Sequence, residues 1–499
     1  MNEQTLQVLW SAAQAVDATG GKTVGDWCAN GVSIDSRTLA PGDLFVALKG
    51  PNHDGHDHVR AALNSLAAAA MVTHAPDAAS VAGVANVANV ANVANACGPL
   101  LIVPDSFDGL YALAKAARDR SNARIIAVTG SVGKTGSKEL LARALAPMAP
   151  EGRVSVSAGN LNNYIGAPLS LARLPAEAEF GVFELGMNQP GEIAPLSRLV
   201  RPHVVLITNV EAVHTEFFGS VDEVAAAKAE IFAGLEPGAV AVLNRDNVYF
   251  DYLKAEAENA GVGRIICFGR DAKADARLLD WTPDADGGLV EADICGTRCS
   301  YRLALSGEHW ALNSVAVLAT AFAATVASGA RLEDAAKALG EQKALPGRGA
   351  RHRLEHDGGL FDLIDESYNA SPVAVRAAIA GLQGFQPGPG GRRIAVLGDM
   401  LELGDDAAEQ HAALAPVLEN AGIDLVFTVG TLMSYLFAVL PNHCRAGLAD
   451  SCADILPALR SEVRPGDVML IKGSLGINMK PLVDAFIAAG DTNAMRQEG

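Results

Sequence analysis

The sequence predicts an α/β protein of three units: an N-terminal α/β module, a central parallel-sheet unit built around a phosphate-binding loop, and a Rossmann-like C-terminal unit. Three observations carry that prediction. Short, β-branched, apolar runs alternate with stretches of helical spacing from Arg124 onwards, the pattern of buried parallel strands joined by helices. The loop Gly130-Ser131-Val132-Gly133-Lys134-Thr135 lies between one such run and one such helix. The stretch Leu345-Pro346-Gly347-Arg348-Gly349 then breaks the alternation and reads as a linker, after which strands and helices resume.

Taken in order, residues 1–106 form the first unit, and within it Val81 to Ala96 repeats Val-Ala-Asn in triplets. A three-residue period matches neither strand nor helix, so this segment reads as a low-complexity surface insertion without chemistry. Phe107 to Arg120 is helical and opens the central unit, 107–344; Arg124 to Thr129 is the strand before the glycine loop and Ser137 to Leu145 the helix after it. Buried strands follow at Phe180 to Glu184, Val204 to Thr208, Ala239 to Leu243 and Arg264 to Phe268, for which a doubly wound parallel sheet is the economical fold. A hairpin at Val290 to Leu305 and an alanine-rich helix at His309 to Ala327 close this unit. In the third unit, 345–499, strands at Leu360 to Ile364, Arg393 to Leu397, Leu425 to Val429 and Val468 to Ile471 alternate with helices in the Rossmann manner.

A chain of 499 residues has the length of about three ordinary domains. Hydrophobic residues at 49%, charged residues at 19% and abundant Ala and Gly fit a soluble α/β enzyme and exclude a disordered chain. The net charge of −18 argues against general binding to nucleic acid or anionic membrane, but a local Arg/Lys cluster can still hold an anionic substrate. The seven cysteines, at 28, 97, 267, 295, 299, 444 and 452, are scattered and odd in number, as expected of reduced cytosolic thiols. Cys295 and Cys299 flank Gly296-Thr297, which reads as a hairpin turn rather than a metal site. Met1 to Trp10 has no basic start before an apolar run, and the apolar stretch Val315 to Ala327 is broken by threonines, so neither export nor membrane insertion is expected. The expected location is cytoplasmic.

The chemistry starts at the glycine loop. Glycines let the backbone curl so that successive N–H groups face a β-phosphate, Lys134 reaches the β/γ oxygens, and the Thr135 hydroxyl can ligate Mg²⁺ at a helix N-terminus. The loop is a shortened form, T-G-x-x-G-K-T, with Val128 where the longer pattern has its first glycine. Glu184 ends an apolar strand and is either a cap for the next turn or a Mg²⁺ ligand; beside a P-loop the metal role is favoured. His214 follows another strand end, where an ordinary loop histidine is the alternative to a functional one. Lys228 lies in an alanine-rich helical segment and, on sequence physics alone, is a solvated lysine. The carboxamide-rich loop Gly159-Asn160-Leu161-Asn162-Asn163-Tyr164 suits polar substrate contacts and turn chemistry equally.

These pieces, in this order, resemble the Mur ligase family, ADP-forming enzymes that extend the peptide of bacterial cell-wall precursors, and the resemblance covers nearly the whole chain. Asp35-Ser36-Arg37, Pro41-Gly42-Asp43-Leu44-Phe45 and Asp54-Gly55-His56-Asp57 look like the family's uridine-nucleotide module, in which Ser36, Arg37, Asp54, Gly55 and His56 would face a UDP-sugar. Asp365-Glu366-Ser367-Tyr368-Asn369-Ala370-Ser371-Pro372 resembles the D-D-S-Y-N-A-N-P signature of the branch that adds D-alanyl-D-alanine, and Gly398-Asp399-Met400 with His411, Lys472-Gly473-Ser474 and Glu184-Leu185-Gly186-Met187-Asn188 fit the same branch. The sequence departs from that pattern at Glu366, Ser371 and Gly136, where Asp, Asn and Thr are usual.

The resemblance implies the last cytoplasmic peptide-adding step of peptidoglycan precursor synthesis. ATP would activate the terminal carboxylate of UDP-N-acetylmuramoyl-tripeptide as an acyl phosphate, and D-alanyl-D-alanine would displace phosphate through a tetrahedral intermediate. By the same resemblance, Thr135 and Glu184 would hold one Mg²⁺; His214 and a carbamylated Lys228 would hold a second. Asn244, Asp246 and Asn313 would surround the adenosine and Arg348 would reach the ATP phosphates. Asn160, Asn162, Asn163, Asp365, Ser367, Tyr368, Asn369 and Lys472 would contact the peptide substrates. The chain is expected to act as a monomer. Three rivals remain: the ligase adding the third amino acid, which carries D-Y-A-H-T-P at the Tyr368 loop; a folate polyglutamylating ligase, which lacks the UDP-sugar module; and a nucleotide-dependent switch or hydrolase.

Overall fold

The computed structural model describes residues 8–75, 98–149, 153–212, 216–284, 287–325, 332–342 and 344–497. The Val81 to Ala96 repeat therefore lies outside the described residues, as do His214, Cys97 and the last two residues assigned to the alanine-rich helix. Among the described residues three larger sheets carry the chain, beside a two-stranded antiparallel pair of Trp10–Ser11 with Cys28–Ala29. The first has the order Lys22–Val24, Leu100–Ile102, Ala69–Val72, Asp43–Val46, Gly31–Ser33, parallel except for its Lys22–Val24 edge. The third, of six strands, runs Ala350–His356, Gly359–Glu366, Val468–Lys472, Arg393–Gly398, Leu425–Val429, Arg445–Ala449, with only the Ala350–His356 edge antiparallel.

The central sheet has nine strands. Its parallel part runs Val154–Val156, Phe180–Glu184, Arg124–Thr129, Val204–Ile207, Val240–Asn244, Arg264–Gly269. Alternate residues of each strand enter two different cores. Ile125, Ala127, Val205 and Leu243 face the helices Ser106–Arg120, Gly166–Ala172 and Ile193–Val200; Ile126, Val128, Leu206 and Val242 face Lys134–Leu145 and Glu308–Thr325. Burial on both faces is why these strands read as continuous apolar runs. The first of those cores continues into Trp10, Val32, Leu44 and Met71, so helix Ser106–Arg120 is clasped between the N-terminal and central sheets.

The hairpin expected at Val290 to Leu305 belongs to a longer extension of the same sheet. Ala276–Asp284 joins the sheet parallel to Arg264–Gly269, and Gly287–Ile294 and Thr297–Leu303 continue it as antiparallel strands. Ala276–Asp284 escaped sequence reading because a bulge between Leu278 and Asp280 breaks its period-two pattern. The hairpin turn is also one residue earlier than read. Cys295 and Gly296 form the loop with φ of 51° and 90°, and Thr297 already pairs with Ile294. Two consecutive positive φ values are what a two-residue hairpin demands, and Gly meets that demand at the second position without steric cost. Among the described residues no helix is long and apolar enough to cross a membrane.

Candidate active site

Parallel strands bring their C-terminal ends to one edge, where ligands bind in open α/β sheets. Here that edge gathers Thr129, Glu184, Thr208 and Asn244 from four adjacent strands. Gly130 has φ of 144°, and a Cβ there would lie 2.0 Å from Thr208 Oγ1; Gly133 has φ of 85° and backs onto the Asn313 amide. The loop is clamped from the neighbouring strand end. Thr208 Oγ1 donates to the Val132 carbonyl (2.6 Å), Val132 N donates to Asn209 Oδ1 (3.1 Å), and Ser131 Oγ exchanges hydrogen bonds with the Glu211 backbone. Lys134 begins the following helix and curls its Nζ back onto the carbonyls of Gly130 (2.6 Å) and Ser131 (3.1 Å). Its Nζ is thus folded back over the loop's own backbone. Desolvation pushes its pKa down, with Arg348 adding to the effect and Glu184 opposing it.

Glu184 and Lys228 are each only 1% exposed. Glu184 Oε1 accepts from Asn162 Nδ2 (2.7 Å), but Oε2 is buried with no hydrogen-bond partner. A buried carboxylate oxygen left bare is costly unless a cation completes it. Lys228 sits against Met187 Sδ. Burial drives its pKa well down and Lys134 adds repulsion, against weaker attraction from Glu184 and Glu230. The solvated lysine expected from the alanine-rich context is therefore overturned. Val224, Ala225 and Ala227 of helix Val221–Ala229 are buried and carry Lys228 inward with them. Desolvation of a lone ammonium in an apolar site disfavours its charged form.

The bare Glu184 oxygen and the Thr135 hydroxyl are oxygen donors of the kind Mg²⁺ takes. Among the described residues no cluster of three His, Cys, Asp or Glu side chains is preassembled for a metal. His214 lies outside those residues. Glu216 donates its backbone N–H to the Glu402 carbonyl (3.3 Å), a contact between the central and C-terminal units.

Arg348 joins two halves of the site. Its Nη2 donates to Thr135 Oγ1 (3.2 Å) while its guanidinium lies 4.0 Å over the Tyr368 ring. Beside it, Asp365 accepts from Gly347 N (2.7 Å) with one oxygen and from Ser367 Oγ (2.5 Å) and N with the other. Lys472 is buried, donating to Glu366 Oε2 (3.2 Å) and the Asn369 carbonyl (2.9 Å). Tyr368 is half-buried beneath Arg348, and Asn369 is the exposed residue of this stretch.

The remaining sequence-singled residues divide by exposure and bonding. Asn160 is exposed; Asn163 Oδ1 caps the backbone of Ile165 and Gly166, which is turn chemistry. Asn244 holds Thr208 O and Asp246 N, and Asp246 accepts from the backbone of Arg270 and Asp271 while lining a cavity of ≈ 530 Å³ between Trp281, Leu312 and Phe385. In the N-terminal unit Ser36 is half-buried and Arg37 exposed, its guanidinium paired side-on with Asp35, whose carboxyl it holds at about 2. His56 has both ring nitrogens engaged, with Asp54 (2.6 Å) and with Thr73 N (3.0 Å); Gly55 abuts the Ala47-Leu48 backbone too closely for a Cβ.

Three residues of the site went unremarked in the sequence. Asn209 clamps the P-loop, and Trp310 lies where a Cβ on Gly136 would touch it at 2.4 Å, which accounts for that glycine. Lys138, one turn after Lys134, is fully buried and donates to the Ser157 and Gly159 carbonyls (2.5 and 2.8 Å), tying the P-loop helix to the carboxamide loop. Only its helical spacing from Lys134 could have signalled it.

Three domain models match the chain: the Mur ligase family catalytic domain over 29–118, the Mur ligase middle domain over 128–321, and the Mur ligase glutamate ligase domain over 352–475. The UDP-N-acetylmuramoyl-tripeptide–D-alanyl-D-alanine ligases of Bacillus subtilis and Escherichia coli are 32% and 33% identical, over 92% and 95% of this chain and 93% and 97% of their own. Among solved structures, MurF from Acinetobacter baumannii matches with a TM-score of 0.78 at 28% identity, covering 96% of this chain and 99% of that one. MurF from Thermotoga maritima in complex with ADP matches with a TM-score of 0.71 at 26% identity over 93% and 98%.

Proposed function

The chain belongs to the Mur ligase family, and from that premise we propose that it joins D-alanyl-D-alanine to UDP-N-acetylmuramoyl-tripeptide at the expense of ATP. The observation that carries this reading is the convergence at Arg348, whose one side chain touches the P-loop threonine and the Tyr368 ring of the D-E-S-Y-N stretch. A hydrolase or switch has no need to couple a phosphate loop to that stretch. In the proposed division of labour, residues 1–106 take the UDP-sugar, 107–344 the ATP and 345–499 the dipeptide.

In the first step a terminal carboxylate oxygen of the tripeptide attacks the γ-phosphorus, the bond to the β-bridging oxygen breaks, and ADP leaves. The dipeptide nitrogen then adds to the acyl carbon, the tetrahedral adduct collapses, and phosphate leaves with the activating oxygen while the nitrogen sheds its proton. Two anions must meet in the first step, so cationic residues do most of the work. Lys134 exchanges its two carbonyl partners for β/γ oxygens, and Arg348 shifts from Thr135 to the transferring group. Mg²⁺, when bound, neutralises phosphate charge and orients the oxygens. Thr135 and Glu184 are its proposed ligands, with His214 and carbamylated Lys228 for a second ion. Asn162 orients the Glu184 carboxylate, and Asn244, Asp246 and Asn313 border the adenosine. Asn160 and Asn163 line the peptide side; Asp365 and Ser367 shape the loop that presents Tyr368 and Asn369 to the dipeptide, with Lys472 beside it at the end of Val468–Lys472. Ser36, Arg37, Asp54, Gly55 and His56 form the UDP-sugar side, with the exposed Arg37 as its cation.

The test is phosphate release by the purified chain with ATP and Mg²⁺, adding the UDP-linked tripeptide and D-alanyl-D-alanine separately and together. Release that needs both, with a UDP-linked pentapeptide detected by mass, is the expected result. Equal release without the dipeptide would overturn the reading in favour of a hydrolase.

A further inference from the structure

A second cavity, of ≈ 180 Å³, lies at the seam of the N-terminal and central units. It is lined by Leu9, Gln14 and Asn30 from one side and by Arg120, Arg173 and Glu177 from the other. Arg120 and Glu177 precede the strands Arg124–Thr129 and Phe180–Glu184, so the cavity sits at the N-terminal end of the sheet. The P-loop is at the other end of a six-residue strand, on the order of 20 Å away.

Arg120 is a built feature. Its guanidinium stacks 3.9 Å over the Trp10 ring, and Trp10 is itself fixed by donating Nε1–H to the Ala172 carbonyl (2.9 Å). Its Nε and Nη2 are both buried without a hydrogen-bond partner, and it is the only described residue with two such atoms. Those two nitrogens form one edge of the guanidinium. Elsewhere in this protein the same edge grips a carboxylate side-on, in Arg37 with Asp35 and in Arg351 with Asp362. Arg173 adds a second cation; its Nε donates to the Val32 carbonyl (2.6 Å) across the seam. Desolvation disfavours the charge on both arginines, which an anion would relieve.

We propose that this seam cavity binds a small carboxylate-headed molecule, its two oxygens seated on the Nε/Nη2 edge of Arg120. Two parallel donors match two carboxylate oxygens, and Glu177, close enough to act electrostatically on Arg120, favours a monoanion over a dianionic phosphate. The volume corresponds to about six waters, room for a short organic body beside Leu9. Because the walls come from both units, an occupant holds the N-terminal unit against the central one. The inference is independent of the ligase reading, since neither ATP nor peptide is involved.

The test is a titration of the full chain, at fixed ionic strength, with acetate, propionate, inorganic phosphate and chloride. The arginine Nε–H resonances are followed, that of Arg120 being assigned by its loss in Arg120→Lys. Acetate and propionate should move that resonance saturably at millimolar concentrations and raise the melting temperature, with chloride inert and phosphate weaker. Arg120→Lys, which keeps the charge and removes the fork, should weaken carboxylate binding at least roughly tenfold. Ala176→Trp, which fills the cavity and leaves Arg120 intact, should abolish saturation, guarding against a fold defect in the arginine variant. No saturable shift with either carboxylate, an unchanged titration in Ala176→Trp, or tighter binding of phosphate would each overturn the proposal.

Discussion

The P-loop side of the site and the D-E-S-Y-N side are built from the same residue types yet are satisfied in opposite ways. Around the P-loop, Glu184 has a bare buried oxygen, Lys228 has a sulfur for its neighbour, and Lys134 makes do with its own loop's carbonyls. Across the cleft, Asp365, His411 and Asp399 are as deeply buried, but the protein answers their polar groups. Asp365 binds Gly347 and Ser367, His411 binds Met400 N and Ala407 O, and Asp399 binds Met433 N. At the P-loop the fold leaves these polar groups open; across the cleft it answers them.

That contrast can be broken most sharply at Glu184. Glu184→Gln should cut turnover by about a thousandfold or more while leaving the melting temperature nearly unchanged, since the oxygen that is lost has no hydrogen-bond donor to strand. A stability loss instead would mean that Oε2 was structurally satisfied. Lys228→Met comes next. Activity should fall roughly a hundredfold or more with the fold intact, and the wild type, but not the variant, should show a carbamate carbonyl resonance in isotopically labelled bicarbonate. On the opposite side Asp365→Ala should behave in the reverse sense, losing about 3 kcal/mol of stability as the Gly347 and Ser367 donors are stranded; chemical denaturation measures it. Gly136→Thr should cost about 1–3 kcal/mol by driving a side chain into the Trp310 ring.

The smallest effect is the pH dependence of the answered histidines. Burial holds the His411 pKa down and, with Arg124 and Arg118, holds His203 at about 4; each accepts a backbone N–H, from Met400 and Ile125, that a protonated ring could not. Unfolded histidine titrates at about 6.5. The unfolded chain therefore binds more protons between these values, so this stability is fully present above about 6.5 and is lost as pH falls towards about 4. His203→Gln should flatten that slope in denaturation curves recorded across the same range.

Much of this was legible in the chain. The central strands are apolar on both faces, so their runs announced them, and the glycine loop between strand and helix marked the phosphate end of the sheet. What was illegible depended on tertiary context. Lys228 looks solvated because its helix is mostly alanine, and only its packing turns the lysine inward. Asn163 and Asn162 share a loop and a residue type, yet one caps a turn and the other meets the Glu184 carboxylate, a contact between residues 22 apart in the chain. Ala276–Asp284 hid behind its bulge, and Trp310 became meaningful only once the missing Cβ at Gly136 was seen beneath it.

The central claim is that the unanswered groups at the P-loop and the answered loop at Tyr368 serve one reaction through an acyl phosphate. The most direct measurement uses tripeptide substrate carrying heavy oxygen in its terminal carboxylate, with ATP and D-alanyl-D-alanine, and the mass of the released phosphate. One labelled oxygen in the phosphate for each peptide bond formed is the predicted result. Unlabelled phosphate, or phosphate released without ligation, would contradict it.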